Sequence, residues 1–191
     1  MPPSEHWRRI AAAWLGGCVL TSPWAQAQTG TDSATWVPQT HIRVYFTPGD
    51  SAESAIAEQL VGAKDSILVQ AYSFTNPAIA NALVDAQQRG VRVIVLLDKS
   101  HRTQKYSAAG LTSQGGVETL IDDRHAIAHN KIMIIDGQIV ITGSYNFTKA
   151  AEKSNAENMV IIDSPAIAAK YLQNWHKHRN HSQRYVPKAS Q

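Results

Sequence analysis

The sequence predicts an α/β domain, a parallel sheet covered by helices, and three features predict it. Apolar runs alternate with helical patterns from His41 onward, the order that buries strands beneath helices. Asn76-Pro77 and Gly90 bracket the middle helical pattern with a start and a stop. Two later apolar runs meet at Asp136-Gly137, a dipeptide suited to a hairpin turn.

Taken in order, a strand is expected at Ile42 to Phe46, a helix at Ala52 to Ala63, a strand at Ile67 to Tyr72, a helix at Pro77 to Arg89 and a strand at Val91 to Leu97. The stretch from His101 to Gly116 is less regular. With Lys99, His101, Arg102, Lys105 and Tyr106 it reads equally as a solvated loop or helix and as a basic segment lining a nucleic-acid groove. Strands are expected near Val117 to Ile121, at Lys131 to Ile135, at Ile139 to Thr142 and at Met159 to Ile162, with a short helix around Thr148 to Ser154. The last helix, Pro165 to about Arg179, sets Ile167, Ala168, Tyr171, Leu172 and Trp175 on one side at helical spacing. Lys177, Arg179 and Arg184 near its end suit either a phosphate backbone or the negative end of the helix dipole. Residues 41–191 thus form one domain with one sizeable core and no internal repeat.

Arg8-Arg9 precedes the apolar run Ile10 to Leu20, and Ala25-Gln26-Ala27 supplies small residues for cleavage. Residues 1–27 therefore read as a secretory signal peptide, and 28–40, rich in Thr, Ser, Gln and Pro, as a leader or linker. The run falls short of the ~20 residues a membrane span needs, so a periplasmic or secreted chain without stable membrane insertion is expected. Lipoprotein acylation at Cys18, after Leu15-Gly16-Gly17, and twin-arginine export are the lesser alternatives to Sec export. Cleavage after Ala27 removes the single cysteine, which excludes a disulfide and a thiol nucleophile from the mature protein. Of 18 Lys+Arg and 15 Asp+Glu, Arg8, Arg9 and Glu5 leave with the signal, so 16 against 14 remain, a net +2. That charge tolerates a polyanionic substrate without identifying one.

The chemistry concentrates in His129-Asn130-Lys131, Gly143-Ser144-Tyr145-Asn146 and Glu157-Asn158. His129 and Lys131 share a face of an extended segment because side chains alternate with a period of two. A neutral imidazole can attack phosphorus near neutral pH, while an ammonium two residues on holds the phosphate oxygens as charge develops. Gly143 permits a tight backbone path, and Ser144 and Asn146 offer donors at alternating positions.

The pattern HxKxxxxD (His129, Lys131, Asp136), then GSxN (Gly143, Ser144, Asn146) and Glu157 at a strand start, resembles the phospholipase D superfamily, in particular its short bacterial nucleases with one motif per chain. The resemblance runs from about His41 to the C-terminal helix. It implies an α/β/α sandwich with a central mixed sheet flanked by helices. It also implies that His129 forms a phosphohistidine, that Lys131, Ser144 and Asn146 bind the phosphate, and that Glu157 orients His129 through its other ring nitrogen. Asp136 completes the implied catalytic set in a supporting, mainly structural part.

Each residue also has a plainer reading. A histidine before a buried strand is commonly an ordinary residue, Asp136-Gly137 is a turn signal whether or not Asp136 has a chemical role, Ser144 and Asn146 suit a loop closure, and Glu157 a solvated strand end. Their joint spacing outweighs those readings. His125 and His129 would share a metal only if that segment were helical, and Ala126 stands where a zinc protease needs Glu. His176, His178 and His181 fit no ligand template and read as a solvated helix face. The phosphohistidine route requires no metal and no cofactor.

Cleavage through a covalent histidine needs a second group to protonate the leaving alkoxide, and His41-Ile42-Arg43 is a poor second copy of the motif. In the resembled single-motif enzymes two chains share one site, so a homodimer is expected. One neutral and one protonated His129 predict a bell-shaped pH dependence of activity. Small size favours nucleic acid, DNA or RNA, as the substrate over phospholipid, although cardiolipin and phosphatidylcholine stay open; a silent DNA-binding module is the third reading. Neither a zinc finger nor a helix-turn-helix is visible, so low sequence preference is expected.

Overall fold

Eight strands form one mixed sheet, and five helices cover its two faces. The computed structural model describes residues 40–187. The expected signal peptide, Cys18 and the expected linker up to Gln39 lie outside the described residues. The strands are β1 (His41–Thr47), β2 (Ser66–Ala71), β3 (Arg92–Asp98), β4 (Glu118–Asp122), β5 (Lys131–Ile135), β6 (Ile139–Gly143), β7 (Glu157–Asp163) and β8 (Gln183–Arg184). The helices are α1 (Ala52–Gly62), α2 (Pro77–Gln88), α3 (Ala109–Gln114), α4 (Lys149–Lys153) and α5 (Pro165–Arg179), with a 3-10 turn at Lys99–Arg102.

The spatial order is β1-β7-β6-β5-β2-β3-β4-β8. Only the β2–β3 and β3–β4 neighbours are parallel, so the parallel pairing signalled by the alternating strands and helices is confined to three strands of the mixed sheet that the resemblance implied. The α/β class stands, as a mixed sheet flanked by helices. The reason for the difference is local. Asp136 and Gly137 have φ of 53° and 63°, left-handed values at the head of the three-residue turn that joins Ile135 to its partner Ile139. This turn folds β6 back antiparallel on β5. β7 then returns antiparallel on β6, and β5 takes the free side of β2. β1 is left to pair with the outer side of β7, three strands away from β2.

Each face has its own core. Ile56 and Leu60 of α1 and Ile79 and Leu83 of α2 pack on Val69, Val95, Met133 and Ile141. On the other face α5 lays Ala168 and Trp175 over Leu68, Leu96, Ile134 and Val140, with Ile167, Tyr171 and Leu172 half-buried beside them. The helix starts follow the capping rules: Asn76 accepts from the Ala78 amide before Pro77, and Ser164 accepts from the Ile167 amide before Pro165. The irregular stretch after β3 contains α3, six residues too few to show a period, seated through buried Ala109 and Thr112. The Thr112 hydroxyl lies 2.9 Å from that of Thr119 on β4.

Candidate active site

The sheet order brings one end of β2, β5, β6 and β7 together. β5 starts where β2 finishes, with Lys131 beside Ala71, and β7 starts where β6 finishes, with Met159 beside Gly143. His129 in the β4–β5 loop, Lys131, the segment after β6 and Glu157 therefore meet at this end. They line a cavity of about 430 Å³ whose remaining walls are Asn130, Thr142, Gly143, Ser144 and Asn146. Every lining residue is polar or glycine.

Lys131 is buried to 7 % exposure, whereas His129 is exposed. The ammonium Nζ lies 3.1 Å from each ring nitrogen of His129 and donates to the His129 carbonyl at 2.9 Å. Burial pushes the Lys131 pKa down, and the charge of Glu157 opposes that shift. A desolvated cation beside an imidazole is the arrangement that stabilises negative charge built up at an adjacent phosphorus. Outside the cavity lining, Tyr72 packs on both residues, its ring 4.5 Å from that of His129 and 5.2 Å from the Lys131 ammonium. Sequence reasoning placed Tyr72 only as a strand end. Its one signal was the aromatic ring that ends a strand holding no other.

Ser144 and Glu157 form a linked pair. The Ser144 hydroxyl donates to Glu157 Oε2 at 2.6 Å and accepts from the Asn158 amide at 3.0 Å, while Asn155 donates to Glu157 Oε1 at 3.0 Å. Glu157 thus spends its oxygens on Ser144 and Asn155 rather than on His129, whose orientation within one chain comes from Lys131 and Tyr72. Asn146 is half-buried, and its Oδ1 has no partner among the described residues. Gly143 has φ of 146°, and a Cβ there would collide with the carbonyl of Asn158. A Gly143→Ala variant is therefore expected to lose about 2–4 kcal/mol in urea unfolding, from strain and overpacking together. A loss under 0.5 kcal/mol would show that the β6–β7 approach tolerates a side chain.

The other predicted residues fall elsewhere. Asp136 sits at the opposite end of β5, where its carboxylate accepts from the amides of Lys64, Asp65 and Ser66 at 3.0, 2.8 and 2.9 Å. Burial raises its pKa, but these three amides outweigh it and hold the pKa below the usual value. Asp136 fastens the α1–β2 loop and does not enter the cavity. In the basic segment, His101 is 1 % exposed, with ring nitrogens 2.9 Å from the Tyr72 carbonyl and 2.7 Å from the Ser107 hydroxyl. It supports the Tyr72 backbone from inside, which corrects its reading as a groove residue. Arg102 pairs with Asp123 at 3.1 Å, and Lys105 and Tyr106 are exposed. The segment 123–130 holds no helix, so the i,i+4 geometry imagined for His125 and His129 does not arise. The expected solvated histidine face also divides: His176 is exposed, while His178 and His181 turn inward to Asp122. At the tail, Arg179 pairs with Glu118 at 3.0 Å and Arg184 lies in β8.

Residues 56–179 match the family model described as "Cardiolipin synthase, PLD-like domain". A protein named phospholipase D from Rickettsia bellii is 46% identical over 134 residues, 70% of this chain and 67% of that protein. The mitochondrial cardiolipin hydrolase of Xenopus laevis is 34% identical over 128 residues, 67% of this chain and 61% of that protein. Among solved structures, Nuc from Salmonella typhimurium, described as a phospholipase D family member, superposes with a TM-score of 0.75 at 37% identity. That match covers 78% of this chain and all of Nuc.

Proposed function

The chain belongs to the phospholipase D superfamily, and from that premise we propose that it is an exported endonuclease. In this reading it cleaves nucleic-acid backbone with low sequence preference, through a phosphohistidine and without a catalytic metal. The observation that carries the reading is the cavity itself, which has no apolar wall for an acyl chain and sets His129 against the desolvated Lys131 ammonium. Exposed Lys99, Lys105 and Arg124 follow β3 and β4 at the same end of the sheet, where they suit a polyanion.

In the proposed mechanism a neutral His129 nitrogen attacks phosphorus and forms a P–N bond as the P–O bond to the leaving strand breaks. Lys131, the Asn146 amide and the Ser144 hydroxyl, once its proton turns from Glu157 to the substrate, hold the non-bridging oxygens. The departing alkoxide takes a proton from a second imidazole, which then removes a proton from water. That water attacks phosphorus, breaks the P–N bond and releases the phosphate end.

The second imidazole is His129 of another copy of the chain. β1 offers the surface for it. Ile42, Val44 and Phe46 point to the α5 side of the sheet and are 57%, 51% and 62% exposed, because α5 covers β4 to β6 and stops short of this edge. Phe46 and Thr47 pair with Asn158 and Glu157, so the apolar row runs to the margin of the cavity. A Val44→Asp/Phe46→Asp variant is expected to sediment as a monomer and to lose ~100-fold or more of the cleavage rate, the contribution of a general acid. A monomeric variant of full activity would refute the shared site.

A lipid substrate is the second reading, favoured by the names of the relatives and by Ile127, 55% exposed two residues before His129. The deciding experiment incubates protein beginning at Gln28 with plasmid DNA in excess EDTA, and separately with cardiolipin and phosphatidylcholine vesicles. Plasmid nicking that persists in EDTA is expected. Hydrolysed lipid beside intact plasmid would move the protein to the lipid hydrolases, and tight DNA binding without turnover would make it a binding module. The leader makes the same proposal one of location: the protein recovered from the cell envelope or medium should start at Gln28.

A further inference from the structure

Outside the catalytic cavity, four side chains from three separate segments meet at the end of β4. Asp122 is the last residue of β4 and 1% exposed. His125 follows in the loop to β5, His178 lies in the last turn of α5, and His181 just beyond it. His178 Nδ1 and His125 Nδ1 lie 2.7 and 3.1 Å from Asp122 Oδ2, and His181 Nε2 lies 3.1 Å from Oδ1. The three rings are packed on one another, with centroids 4.7, 5.3 and 5.6 Å apart.

One nitrogen from each histidine and one carboxylate oxygen all lie within 4.8 Å of one another. Tetrahedral zinc, with bonds of 2.0–2.1 Å, spaces its ligand atoms about 3.3 Å apart, so small side-chain rotations bring this set onto one ion. A dication on this set takes up one lone pair from each imidazole and the carboxylate charge together. Three nitrogens and one oxygen suit a zinc-class transition ion and not calcium or magnesium, which prefer all-oxygen shells.

We propose that Asp122, His125, His178 and His181 bind one zinc-class divalent ion. Four protein ligands leave no open position, which makes the site structural. It pins the end of α5 to the loop that carries His129, a loop held from the other side by the Asp98 carboxylate on the Ala128 amide at 2.7 Å and by Lys99 on the His125 carbonyl at 3.0 Å. No cavity residue is shared with it, so the site stands whether the substrate is nucleic acid or lipid.

The test uses protein beginning at Gln28, stripped with EDTA and dialysed, then titrated calorimetrically with Zn²⁺ and spectroscopically with Co²⁺. One ion per chain, the intense visible absorption of tetrahedral Co²⁺ and a higher Tm with zinc are expected. His125→Asn and His181→Asn, both partly exposed positions, are expected to weaken zinc binding roughly 100-fold or more each, with circular dichroism confirming the fold. His176→Ala should change none of these readouts. Absence of stoichiometric binding, a weak octahedral Co²⁺ spectrum, or binding unchanged in both variants would overturn the proposal.

Discussion

Replacing His129 with alanine is expected to lower phosphodiester cleavage at least ~10⁴-fold while leaving stability within about 0.5 kcal/mol of the parent. The two expectations come from the same geometry. His129 is exposed on a loop, so no core contact is lost. Lys131 keeps its bond to the residue 129 carbonyl, which is backbone and survives the substitution. The proposed phosphate site of Lys131, Ser144 and Asn146 is left in place, and the variant should still bind an uncleaved phosphodiester. In the proposed shared site each dimer would lose both its nucleophile and its proton donor, so the expected deficit exceeds that of either role alone. Single-turnover nicking of plasmid by parent and variant measures it. Residual activity within tenfold of the parent would remove His129 from the chemistry.

Replacing Trp175 with alanine is expected to cost about 3–5 kcal/mol, read as a shift in the urea midpoint. Trp175 is 1% exposed, and its indole donates to the Val69 carbonyl of β2 at 3.1 Å. It is the largest side chain by which α5 holds its face of the sheet, and Ala168 is the only other fully buried residue of that helix. Truncation leaves a cavity over Leu68, Leu96 and Ile134 that neighbouring strands cannot close. Trp175→Phe keeps most of the volume and should lose much less. A cost below 1 kcal/mol for the alanine variant would mean that α5 is held from elsewhere.

The reach of the sequence can be judged from particular residues. His129, Lys131, Ser144, Asn146 and Glu157 were visible because they lie within one meander, β5 to β7, where spacing along the chain converts directly into facing in space. The site that sequence reasoning left unread, Asp122 with His178 and His181, joins β4 to residues more than fifty positions later. No local period encodes that meeting, which depends on how α5 crosses the sheet. Strand order was illegible for a related reason: alternating apolar runs mark β1 as a strand but not which edge it finds. Asp136 shows the opposite limit. Its place in a motif suggested company with His129, but five extended residues carry it about 16 Å along β5 to the far end.

The edge position of β1 also bears on how the chain comes to be folded. The pairs His41↔Asp163 and Thr47↔Glu157 join residues more than a hundred positions apart, so they close the largest loop in the sheet and weigh most in its contact order. A strand made early must wait for β7, one of the last made, before its backbone groups find partners. During that interval Ile42, Val44 and Phe46 form an unpaired apolar strand, the kind of segment that holdase chaperones retain and that associates wrongly when crowded. Of the described strands, the first synthesised waits longest for a partner.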